Sequence, residues 1–140
     1  MKRFKIFMIM AMMAMVLVAC GGKEADSDPQ EETIQETYRD SLVRTCKLSA
    51  CKIAQQSSQI LIMYASGEIS LEAASKLIKA NADDIKYLYD MKIYSEEDDK
   101  YMFALYGNVT SAFDELFEDG DKYLDNVELI SKCVDKLLAE

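Results

Sequence analysis

The chain has 140 residues, with 25 acidic against 16 basic side chains and a formal charge of −9. Phosphate backbones repel a chain of that sign, so nucleic-acid binding is excluded as a main activity, and an anionic lipid surface repels it as well. The absence of histidine also removes the commonest general base and the commonest metal ligand.

In chain order, the first segment reads as an export signal. Residues 1–5 carry Lys2, Arg3 and Lys5, and residues 6–19 form an apolar run without a charge. A basic n-region followed by a short apolar h-region is the pattern of a signal peptide. The run is shorter than the roughly 18 to 20 residues a spanning helix needs, and it ends in Leu17-Val18-Ala19-Cys20-Gly21.

Leu17-Val18-Ala19-Cys20 resembles the lipobox of bacterial lipoproteins, in which a branched residue stands three before the cysteine, small residues adjoin it, and the thiol takes diacylglycerol. The resemblance covers only the start of the precursor and implies nothing about the fold of the rest. It implies cleavage before Cys20, two or three acyl chains on that cysteine, and a firm hold on a membrane where one chain alone would anchor marginally. Gly21 is not the aspartate that commonly retains such proteins at the inner membrane. The implied destination is an outer membrane, facing the periplasm, or otherwise the outer face of the cell membrane. Cleavage at this point removes three basic residues and no acidic ones, leaving 13 against 25 and a formal charge of −12.

Residues 20–33 follow as a lipidated tether. They are polar and acidic, hold the chain's one proline and have nothing to bury, so ordering them gains little. About 12 flexible residues reach roughly 20 Å, enough to hold a domain near a bilayer but off its headgroups. Residues 34–140 can bury one core, and they are read as one domain.

Within that domain, Tyr38, Leu42, Cys46, Ala50, Ile53, Ser57, Ile60 and Tyr64 recur at threes and fours. They predict a long helix that Gly67 ends. Ser70 starts a second helix with Leu71, Ala74, Leu77, Ile78, Ile85, Leu88 and Tyr89 on its inner face. Ser95 starts a third, whose first turn places Glu96, Glu97, Asp98 and Asp99 where exposed amides and the helix dipole favour acids, with Asp98 at the reciprocal position of a capping box. Tyr101, Met102, Leu105, Val109, Ala112, Phe113 and Leu116 stay in phase across Gly107, so the helix is read through the glycine. The last helix, over 122–139, shows Tyr123, Val127, Ile130, Val134 and Leu137 at alternating four and three. Four helices joined by short turns predict an all-α, antiparallel up-down-up-down four-helix bundle.

Three cysteines follow Cys20, and an exported chain meets an oxidising compartment. Cys46 and Cys51 stand on one helix at a spacing too wide for a bond. Counting rise along the bundle sets Cys133 near the level of Cys51, so the expected disulfide is Cys51 to Cys133 with Cys46 free. Cys46 to Cys133 is the alternative. Three thiols with no histidine and no CxxC pair do not make a zinc site, and no cofactor is expected.

The acidic stretch from Asp114 to Asp121 is out of register for an EF-hand, because counting with Gly120 sixth puts Phe117 third and Asn126 twelfth. Tyr87, Met91 and Tyr94 line up off the inner face of the second helix. They form either a wider core face or a partner-binding patch. The leading expectation is a non-enzymatic protein-binding lipoprotein of the adaptor, exclusion or immunity/inhibitor type, whose acidic face meets a cationic or neutral protein. The alternative is a small-ligand or cation binder using Ser57 and Asn81 inside the bundle, or the acidic junction. An enzyme is not expected, since glycoside cleavage needs two carboxylates across a cleft and a compact bundle offers no obvious one.

Overall fold

The computed structural model describes residues 29–118 and 120–139, with side chains from Thr33 onward. The expected signal peptide, Cys20 and the expected tether as far as residue 28 lie outside the described residues. The chain falls into two compact units, Met1–Gln35 and Glu36–Glu140. Of the first, the described part is the helical stretch 29–35.

Helix α1 runs over Pro29–Ala65 and spans 37 residues. It starts five residues earlier than the composition of the tether predicts. Proline suits the first helical position, where its missing N–H would be unpaired anyway. The helix ends in a Schellman motif at Gly67, whose φ is +76°. The Glu68 amide donates to the Met63 carbonyl at 2.9 Å and the Gly67 amide to that of Tyr64 at 3.0 Å.

Helix α2, Leu71–Tyr89, and helix α3, Glu96–Glu115, begin as their serines predict. Ser70 Oγ accepts from the Ala73 amide, and Ser95 Oγ from that of Asp98 at 3.1 Å. Helix α3 passes through Gly107 unbroken, and that glycine is exposed. The last segment differs in detail from its expected span. It opens with a 3-10 turn at Lys122–Leu124 and becomes helix α4 at Asp125–Leu138, tightening in the way helix starts often do.

The described residues contain no strand, and the helices pack as the predicted bundle. Leu61, Ile78, Ile85, Met102, Leu105, Val109, Ile130 and Leu137 are fully enclosed. Burial of each large aliphatic side chain contributes about 1.5–3 kcal/mol. The stripe read for α3 is the observed one, and Tyr123, Ile130, Val134 and Leu137 of the last segment are buried as expected. On α1 the buried line runs through Cys46, Lys47, Ala50, Cys51, Ala54, Ser57 and Leu61, while Tyr38 is 73% exposed. On α2 the buried residues are Ala74, Ile78, Ala82 and Ile85, and Leu77, read as inward, faces water.

Two expectations are corrected. Cys46, Cys51 and Cys133 are buried free thiols, and the Cys51–Cys133 disulfide is not formed. Cys133 lies near enough to act electrostatically on Cys51, but not at bonding distance. Cys133, however, is engaged from α3, where Asn108 Nδ2 donates to its Sγ at 3.5 Å, and Cys46 Sγ meets Met91 Sδ at 3.7 Å. The second correction concerns Tyr87, Met91 and Tyr94, which do not form one helical stripe. Helix α2 ends at Tyr89, and Lys92 takes a left-handed φ of 52°, so the chain has turned away before Tyr94.

Candidate functional site

Among the described residues every buried side-chain nitrogen and oxygen has a hydrogen-bond partner, so no polar group in the bundle interior is left aimed at a ligand. Ser57 and Asn81 are brought together and satisfy each other, with Asn81 Nδ2 donating to Ser57 Oγ at 2.9 Å. At the acidic junction the Glu115 carboxylate turns inward, accepting from Asn126 at 2.7 Å and from Ser111 at 3.2 Å. No group of three or more cysteine or carboxylate side chains suited to a metal ion occurs among the described residues.

An open cleft of about 620 Å³ lies at one end of the bundle, within the unit Glu36–Glu140. The compact bundle was expected to lack one. The cleft arises because the start of α1, from Glu36 to Thr45, runs on with little covering it. One face of this stretch, carrying Arg39, Asp40, Val43, Arg44, Lys47 and Leu48, forms the long wall. Leu137 and Leu138 at the end of α4 form a second wall, and Ile93, Tyr94 and Ser95 of the α2–α3 loop, with Asp98, form a third.

The polar part has two layers. At the inner layer Lys47 Nζ and Asp98 Oδ1 form an ion pair at 2.9 Å, with their side chains 8% and 10% exposed. Asp98 thus serves the third helix through its amide, held by Ser95, and spends its carboxylate on α1 instead of closing a capping box. At the outer layer Arg39 and Arg44 are exposed and make no ion pair among the described residues. With Lys47 and Asp98 neutralising each other, Arg39, Arg44 and Asp40 leave the described lining of the cleft with an excess of one positive charge on a strongly acidic chain.

The loop wall is held in place by its own contacts. Tyr94 Oη donates to the Leu88 carbonyl at 2.7 Å, and Lys92 Nζ sits 3.3 Å above the Tyr89 ring and 3.5 Å from Asp99. Burial pushes the Tyr94 hydroxyl far above its ordinary pKa, with Cys46, Asp98 and Asp99 adding to the effect. A wall fixed in this way gives up little freedom when something binds against it.

Of the three residues read as a partner patch, Tyr87 is 72% exposed, Met91 is 36% exposed with its sulfur against Cys46, and Tyr94 is a part-buried member of the cleft wall. Arg39 and Arg44 escaped sequence reading as site residues. The signal that could have found them was the basic excess of 33–66 in an acidic chain.

In comparisons with known proteins, no family model, no curated protein and no solved structure matches the chain. No helix among the described residues is long and apolar enough to cross a membrane. Fold and site together define an all-α bundle that carries an open, amphiphilic cleft at one end.

Proposed function

We propose that this protein is a lipid-anchored, non-enzymatic protein-binding module of a bacterial envelope, attached through Cys20, and that its partner docks at the cleft. The observation that carries the binding half of this reading is the cleft itself. It combines a preset wall, aliphatic side chains from three elements and two arginines with no ion pair among the described residues, and its volume lies in the range of recognition sites. The lipobox resemblance supports the anchoring half, and the envelope location rests on it. The adaptor, exclusion and immunity/inhibitor roles share this docking step.

A pull-down from detergent-solubilised envelope, with the full lipidated protein as bait, tests the binding half. The expected result is one stoichiometric protein partner that is lost when Leu138→Arg closes the cleft mouth. Capture of nothing, or capture that ignores Leu138→Arg, overturns it. The anchoring half is tested by Cys20→Ser, which is expected to release the protein from the membrane fraction and abolish labelling by palmitate.

A further inference from the structure

We infer that the element received by the cleft is an extended acidic segment of the partner protein, with an aliphatic side chain beside its carboxylates. The inference rests on the cleft being the docking site and adds the chemistry of what docks there.

Charge complementarity selects the occupant. Arg39 and Arg44 stand one turn and a residue apart on α1, both exposed and both on the cleft's long wall. Guanidinium groups bind carboxylates by paired, planar hydrogen bonds. The third basic group, Lys47, is already matched by Asp98 in the inner layer, so the demand for anions lies at the mouth. Val43, Ile93 and Leu137 add an aliphatic part to the cleft's lining, which accepts a branched side chain and offers nothing to a second charge.

The rest of the molecule sharpens this choice by repulsion. From Gly67 onward the chain carries 18 acids against eight lysines, so an acidic segment is disfavoured against most of the surface and accepted here. Discrimination by building repulsion against the wrong site is a common source of specificity. It also reverses the polarity expected from the sequence, in which a cationic partner meets the acidic face.

The test is fluorescence anisotropy on the full protein in detergent, with a labelled, end-blocked hexapeptide alternating glutamate and leucine. Two control peptides replace every glutamate by lysine or every leucine by serine. The acidic aliphatic peptide is expected to bind at least about tenfold more tightly than either control. Raising salt from about 0.05 M to about 0.5 M is expected to weaken that binding severalfold. The double variant Arg39→Gln/Arg44→Gln should lose about tenfold in affinity while melting with the parent, as exposed substitutions do. Equal affinity for the lysine peptide, unchanged binding by the double variant, or no binding of any probe overturns the inference. A partner captured in the pull-down that still binds the double variant leaves the protein-binding reading standing and removes only the acidic-segment chemistry.

Discussion

At Cys51 burial pushes the thiol from an ordinary value of 9.0 up to about 11, with the Lys47 ammonium pulling it down and Cys133 pushing it further up. Cys133 is also raised by burial, against a lowering hydrogen bond from Asn108. A thiol held in its protonated form is a poor nucleophile, so Cys51 and Cys133 should react with Ellman's reagent only after unfolding in urea. The same shifts fix a direction with pH. Below pH 9 both folded and unfolded thiols keep their protons and the stability is fully present. As pH rises from 9 toward 11 the unfolded chain ionises first and stability falls. Urea midpoints across that window should decline, and a Cys51→Ala variant should decline less steeply. The split of the tyrosines gives a second residue-level prediction. Tyr87→Ser should change stability by no more than about 0.5 kcal/mol. Tyr94→Phe, which strands the Leu88 carbonyl, should cost about 1 kcal/mol in urea melts.

At the scale of the helices, starts and stops were legible because caps are local chemistry. Ser70, Ser95 and Gly67 act within a few residues of themselves, so a sequence contains everything that decides them. Ser95→Ala should therefore destabilise by about 1 kcal/mol, and it should loosen the cleft wall that Ser95 helps to fix. Gly107 is the opposite case. It is mid-helix and exposed, and a Cβ there would meet nothing within 4 Å. Gly107→Ala should stabilise by about 0.5–1 kcal/mol, read as a rise in melting temperature. The face of α1 was read less well than its extent. Its periodicity supports several adjoining stripes, and the small residues Ala50, Ala54 and Ser57 sit on the one that the neighbouring elements enclose fully. That enclosure belongs to the neighbours and not to α1. The Tyr87, Met91 and Tyr94 pattern failed for a related reason, since its spacing is helical only if the helix continues past Tyr89.

For the molecule as a whole, the Lys47–Asp98 pair ties the start of the packed part of α1 to the start of α3 and forms the inner layer of the cleft. Removing one partner leaves a buried charge without its match, so Lys47→Met alone should destabilise by about 3–5 kcal/mol. Replacing both, as Lys47→Met with Asp98→Leu, should restore most of that stability, because an apolar pair of similar volume suffers no desolvation. Urea unfolding of the two variants checks the contrast. The sequence by itself determined the number of helices, their order, the serines that open α2 and α3, the antiparallel bundle and the sign of the molecule's charge, since periodicity, capping and composition act over short distances. Only the tertiary structure decided that three thiols stay unpaired, that Tyr94 belongs to a wall, and that two exposed arginines meet an aliphatic cleft. Each depends on which side chains distant in sequence arrive at one place, and that is set by how the helices rotate and overhang one another once they pack.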